Sequence, residues 1–289
     1  MIVTERAGLF AKNGLEVKSR IMGGAVGVVR GLMQGEIQFG NLAAPALLRA
    51  DLLGEADLVY LTGGINQQFL MGRPGIEERR QLAGGKIGLA GDKGLNDVLV
   101  YFVIEQLKKQ GVDGVTPIPI EGSGHKGVES LVRGACDAAI VTPPECIGAK
   151  RRGCSYLADF ADYGLNFALG GIAARKSYIA AHPDITRKFV KAYVEGMHRY
   201  RTDRAFTAEV QQEYSGLSDR SLAEETYDMT QPGMPRVPYP VLKALKIALE
   251  VMSRELPQAT GADPRQFVDD RFLRELDVSG VIDSLYGKM

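Results

Sequence analysis

Apolar positions along this chain switch between the helical and the strand period, and the switches fall on glycine. Residues 4–13 predict a helix with Leu9 and Phe10 on its apolar side and Glu5, Arg6 and Lys12 in solvent. Gly14 then stands where a left-handed C-terminal cap is needed. Leu15, Val17 and Ile21 predict a strand closed by Gly23 and Gly24, and residues 25–34 a short helix. Ile37 and Phe39 alternate with polar residues in a second strand, ended by Gly40 and Asn41. Asn41 is placed to cap a helix over 43–53. This order is that of a parallel α/β lobe whose strand ends face a ligand, because helix N-termini present unpaired N–H groups and a partial positive charge. Any one of these glycines, taken alone, is equally well a plain turn residue.

The pattern continues. A strand over 58–61 ends at Thr62, Gly63 and Gly64, an extended segment covers 65–72, and Arg73, Pro74 and Gly75 turn the chain. The strand 87–90 runs into Gly91, Asp92, Lys93 and Gly94, which open a helix over 95–110. Pro117 and Pro119 assign the strand 115–120 to an edge. A helix over 126–133 and a buried strand over 137–141 follow, and prolines 143 and 144 suit the first turn of the next helix. Residues 166–174 are extended. Beyond Lys176 the texture is helical: Phe189, Val190, Tyr193, Val194, Met197 and Tyr200 share one side of a helix begun at Pro183, with further helices over 204–214, 218–229 and 239–255.

Composition narrows the function. The 289 residues suffice for two lobes, and 35 Lys plus Arg against 35 Asp plus Glu give no basic field for nucleic acid or anionic lipid. Cys136, Cys146 and Cys154 lack CxxC spacing and only three histidines exist, so neither a metal site nor a disulfide framework is expected; the cysteines read as small buried residues. No apolar run reaches the roughly 18 residues of a membrane span, and no charged-then-apolar leader opens the chain. The loop at 91–96 lacks the GK-[ST] ending of a phosphate-binding loop, and 82–91 lacks dinucleotide spacing.

The ordered set AGLFAKNGLEV (7–17), the glycine pair 23–24, GEIQFGN (35–41), LAGGKIGLAG (82–91), LVRGACDAAIVTPPE (131–145) and HPDITRKFVKAYVEGMHRYRTD (182–203) resembles the periplasmic substrate-binding proteins of ABC importers. The branch is the nitrate/sulfonate/taurine one, which also holds thiamine-pyrimidine binders. The resemblance implies an α/β, type II periplasmic-binding-protein-like fold: two α/β lobes joined by two hinge strands, near 65–72 and 165–174, with a helical C-terminal tail. Lobe 1 would comprise 1–70 and 166–289, lobe 2 residues 71–165. It further implies a strand and a ligand-facing loop ahead of the first helix, so the native start is expected upstream, with a secretion signal.

In such proteins the ligand lies beyond the C-terminal ends of the strands. On this sequence those ends carry Gly23, Gly24, Asn41, Leu42, Ala43, Thr62, Asp92, Lys93, Gly94, Asn96, Glu121 and Thr142. Each has a plainer reading: Asn41 as a helix cap, Lys93 as a solvated loop lysine, Glu121 as an exposed turn glutamate, Thr142 as a cap. Arg73 reads as a surface residue and His125 as a residue beside a glycine-rich turn. The expected function is an extracytoplasmic receptor, monomeric and without cofactor, that takes a small organic or anionic solute to ABC permease subunits. The alternative is an enzyme on the same fold, related to thiamine-pyrimidine synthases or small decarboxylases, for which His125 and Glu121 are the nearest acid/base candidates. A sensing domain of a larger signalling protein is the third reading.

Overall fold

The computed structural model describes residues 1–64, 67–91, 93–165, 170–217 and 219–287. In chain order these form α1 (Ile2–Arg6), α2 (Leu9–Lys12), α3 (Ala25–Gln34), β1 (Gly40–Ala43), α4 (Ala44–Leu52), β2 (Leu58–Tyr60), β3 (Phe69–Gly72), β4 (Lys86–Leu89), α5 (Leu95–Lys109), β5 (Thr116–Pro119), α6 (His125–Val132), β6 (Ala138–Val141), α7 (Glu145–Arg151) and β7 (Ser155–Asp159). They continue with β8 (Gly170–Arg175), α8 (Lys176–Ala181), α9 (Pro183–Thr202), α10 (Arg204–Ser215), α11 (Arg220–Thr230), α12 (Leu242–Met252), α13 (Arg271–Val278) and α14 (Val281–Leu285). Two compact units result: residues 1–65, 170–242 and 263–289 make one, residues 66–169 and 243–262 the other.

The first unit holds a three-stranded sheet in the order β1-β8-β2. Both outer strands run antiparallel to β8, with Asn41 opposite Ile172 and Val59 opposite Ala174. The lobe is therefore not built by direct parallel pairing of its opening strands: β1 and β2 point the same way, but β8, from far along the chain, lies between them. The strand expected at Ile37 and Phe39 forms instead at Gly40–Ala43, and Phe39 stacks on Phe189 with centroids 3.9 Å apart. The strand expected from Leu15, Val17 and Ile21 is absent. Leu15 and Val17 are half-buried, but Ile21 is 84% exposed. Alternation alone makes no strand where no described neighbour supplies a hydrogen-bond ladder. The helix expected over 4–13 is broken into α1 and α2 at Gly8, whose φ of 68° lies in the left-handed region.

Helix α9 forms the core of this unit. Its Phe189, Val190, Tyr193, Val194 and Met197 are buried, as the helical spacing predicted. Contact with the N-terminus is close: a Cβ on Gly196 would lie 2.0 Å from Thr4 Oγ1, so only glycine lets α1 approach there.

The second unit carries a five-stranded sheet in the order β5-β4-β6-β3-β7. Strands β4, β5 and β6 are parallel, while β3 enters antiparallel between β6 and β7. Pro117 and Pro119 lie in β5 at the sheet's edge, where a missing N–H is tolerated. All four residues of β6 are buried, and α5 covers the sheet with Val98, Leu99, Val100, Val103 and Leu107. Leu245, Ala248, Leu249 and Met252 of α12 are buried too, and residues 243–262 pack in this unit. Lys243 Nζ donates to Tyr163 O at 2.9 Å, and Arg254 both pairs with Glu105 at 3.1 Å and lies over the Tyr101 ring.

Candidate functional site

In the second unit the C-terminal ends of β4, β5 and β6 and the N-terminal end of β3 share one edge of the sheet. The register sets this: Phe69 faces Val141, Leu89 faces Pro119, and Ile120 N–H donates to Leu89 O at 3.0 Å. The loop after β4 is held from beneath by Asp97, the third residue of α5 and 6% exposed. Its Oδ1 accepts the Gly91 N–H at 3.0 Å and its Oδ2 the Lys93 N–H at 2.8 Å. A carboxylate in a first helical turn also meets the positive end of the helix dipole. The loop bends through left-handed backbone at Gly91 (φ 77°) and at Lys93 (φ 54°), a conformation uncommon for a residue with a Cβ. Lys93 Nζ reaches Glu255 Oε2 at 2.9 Å. Asn96 Nδ2 donates to Ile140 O at 3.2 Å, tying the start of α5 to β6.

Lys93, Gly94, Asn96, Glu121 and Thr142 are thus brought to this one edge. Asp92 lies outside the described residues. Lys93 keeps 62% of its side chain exposed, as a solvated loop lysine does, while its Nζ pairs with the half-exposed Glu255. Glu121 is exposed, with Arg133 3.8 Å away. Thr142 Oγ1 donates to Glu145 Oε2 at 3.4 Å, at the start of α7. His125 is 81% exposed and lies 3.9 Å from Glu129, while Glu121 has turned to Arg133, so the two residues weighed as an acid/base pair take different partners. Arg73, expected at the surface, is half-buried: its Nε donates to Asp137 Oδ1 at 2.9 Å. Burial pulls the Asp137 carboxyl up, but the Arg73 hydrogen bond, the Lys86 N–H and the two nearby cations outweigh it and hold the group below its ordinary value.

In the first unit, the residues at the matching strand ends gather around glycine. Ala43 faces Gly170, Gly64 N–H donates to Gly170 O at 2.7 Å, and Gly63 N–H donates to Pro238 O at 2.6 Å. A Cβ on Gly171 would lie 1.9 Å from Thr62 O, and one on Gly170 2.7 Å from Leu42 O. Thr62 is fully buried among these chains. Asn41 is not a helix cap: it sits mid-strand in β1 with an exposed side chain, and Ala43 is the residue preceding α4. The polar-residue signal located the strand end two residues early. Leu42 is buried, and its carbonyl accepts from Tyr60 Oη at 3.2 Å; burial pushes the Tyr60 hydroxyl strongly up. Gly23 and Gly24, at φ 67° and 89°, lead into α3.

Helices α4, α5 and α6, which follow β1, β4 and β5, start at Ala43, Gly94 and Gly124 with no side-chain cap, as do α1, α2, α3, α7, α8, α9, α13 and α14 elsewhere. Helices α10 and α11 are capped by the Asp203 and Asp219 carboxylates. The helices opening from strand ends leave backbone N–H groups for another acceptor. Sequence reasoning missed Asp97, although an acid three residues past a glycine-rich turn is a readable signal.

Residues 1–203 match the family described as NMT1/THI5 like, and the chain belongs to that family. Its fold is that of periplasmic binding proteins. It is similar to the putative periplasmic sulfonate-binding protein SsuA of Methylobacillus flagellatus KT, with a TM-score of 0.70 and 18% identity over 97% of this chain and 89% of that one. The periplasmic aliphatic sulphonate-binding protein SsuA of Escherichia coli gives 0.72 and 17%, over 93% and 88%. The alkanesulfonate-binding protein SsuA of Xanthomonas axonopodis pv. citri, bound to MOPS, gives 0.67 and 16%, over 95% and 92%. No curated protein matches the chain in sequence.

Proposed function

We propose that this chain is an extracytoplasmic solute-binding receptor, which captures a small organic or anionic solute without altering it and delivers it to an ABC permease. The observation that carries the reading is the uncapped start of α4 in the first unit and of α5 and α6 in the second, each following a strand. Backbone donors held by rigid elements bind polar groups with little ordering cost. Family membership and the names of the sulfonate-binding neighbours support the same reading. Capture is favoured over turnover because His125 and Glu121, the nearest acid/base candidates, face Glu129 and Arg133 and not each other. Among the described residues no group of His, Cys, Asp and Glu is arranged to hold a metal ion, and no helix is long and apolar enough to cross a membrane.

The test is calorimetric titration of the full chain with ethanesulfonate, taurine, nitrate, MOPS and aminopyrimidines, followed by mass spectrometry of the solute. Saturable one-to-one binding of a solute recovered unchanged is expected. Conversion of the solute to a product would overturn capture in favour of the enzyme.

A further inference from the structure

The sheet edge of the second unit contains two amide oxygens with nothing to bond. Gln67, two residues ahead of β3 and 9% exposed, has a buried Oε1 without a hydrogen-bond partner among the described residues. Asn96, at the start of α5, has a buried Oδ1 in the same condition. The orientation of the Asn96 amide is fixed, because its Nδ2 donates to the Ile140 carbonyl, which can only accept. The free atom is therefore an acceptor. Both residues belong to the same place: β3 pairs with β6, Phe69 faces Val141, and Asn96 bonds to Ile140 one residue before. Buried acceptors without donors are rare in folded proteins, and leaving one unpaired is costly.

The charges of this edge are close to balanced and do not by themselves call for an anion: Lys93 pairs with Glu255 at 2.9 Å with both side chains more than half exposed, Glu121 faces Arg133 at 3.8 Å, and Asp97 and Glu145 stand against Lys126 in solvent.

We infer that this face of the second unit selects a solute whose presented end bears N–H or O–H donors, any acceptors it carries meeting the N–H groups at the starts of α5 and α6, and not a bare oxyanion. The inference rests on the receptor reading above and specifies its solute. Asn96, whose orientation is fixed, accepts from the solute, with the Gln67 amide on the same edge; a solute of oxygen acceptors alone leaves the Asn96 oxygen unpaired and is rejected, as sites built around hydrogen bonds reject analogues lacking the partner.

The experiment titrates the full chain with cytosine and benzamidine, which carry donors, and with ethanesulfonate and nitrate, which carry none. Cytosine or benzamidine is expected to bind at least about tenfold more tightly than either oxyanion. Gln67→Met, close in shape and without the acceptor, is expected to weaken that binding about tenfold or more while the ligand-free thermal midpoint stays at or above wild type. Should Gln67→Met fail to fold, Gln67→Glu, which keeps an acceptor and adds a charge, is expected to raise the preference for benzamidine over cytosine. Binding of an oxyanion but of neither donor-bearing probe overturns the inference and leaves solute capture standing. Binding of none of the four overturns it as well, as does unchanged affinity in Gln67→Met. Chemical conversion of a probe overturns capture instead.

Discussion

Gly171→Ala tests the glycine-packed strand ends of the first unit. The added methyl group would lie 1.9 Å from Thr62 O and 3.1 Å from Gly63 C, both backbone atoms that cannot swing aside as a side chain does. Restoring a 3.0 Å separation requires β8 and the 62–64 turn to part by about 1 Å. Besides a long contact from Thr62 N–H to Ile172 O at 3.5 Å, two short hydrogen bonds cross that boundary: Leu61 N–H to Ile172 O at 2.8 Å and Gly64 N–H to Gly170 O at 2.7 Å. Lengthened by that amount, both leave the range of roughly 2.7–3.2 Å in which such bonds hold. Losing two backbone hydrogen bonds at a buried site costs about 2–5 kcal/mol, in line with other overpacked cores. Urea unfolding followed by circular dichroism measures this as a lower midpoint for the first unit, and hydrogen exchange at the amides of Leu61 and Gly64 localises it. Gly148→Ala is the control. Nothing lies within 4 Å of its would-be Cβ and it sits inside α7, so it is expected to stabilise by about 0.5–1 kcal/mol. If Gly171→Ala unfolds within about 0.5 kcal/mol of wild type, the close approach of these backbones is wrong.

Other outcomes follow from single residues. Asp97→Ala removes the acceptor for two loop N–H groups and is expected to cost about 2 kcal/mol and to speed exchange at Gly91 and Lys93; unchanged exchange there would refute the pinning. The Asp137 carboxyl, held below its ordinary 3.8 when folded, contributes stability above that pH, and this contribution is lost as pH falls through the folded value. Acid unfolding of Asp137→Asn is accordingly expected to depend less on pH below about 4 than that of wild type. Burial pushes the Cys136 and Cys146 thiols up to about 11 and raises Cys154 also. An aromatic disulfide reagent at pH 8 is therefore expected to label no thiol in the native protein and three in urea, and fast native labelling would contradict their burial. Asp203→Ala, which removes the carboxylate accepting the Phe206 N–H at 3.1 Å, is expected to cost about 1 kcal/mol by thermal unfolding.

Local periodicity carried much of the fold. Residues 25–34 are α3, the helix begun at Pro183 is α9 with its expected buried face, and the paired prolines place β5 at an edge. What failed depended on partners remote in sequence. Leu15, Val17 and Ile21 alternate as a strand does, yet no ladder receives them. Gly40 and Asn41 read as a strand end because both favour turns, but β8, some 130 residues later, recruits them into a strand. Strand β7, at the sheet's edge beside β3, runs Tyr156, Leu157 and Ala158 consecutively and so shows no alternation to read. At the candidate site the glycine turns were visible from composition, while the hold of Asp97 on the 91–93 loop and of Glu255 on Lys93 required the folded chain.

The residence of 243–262 in the second unit, with both flanking stretches in the first, makes the backbone pass between the units four times. No single cut can then liberate either half intact. A fragment ending at residue 169 would lose the apolar side of α12 together with the Glu105, Tyr163 and Lys93 partners that fasten it. Recombinant dissection of this protein therefore calls for grafting 243–262 back through a designed linker, and a circular permutant respecting that guest helix is the natural route to an isolated second half.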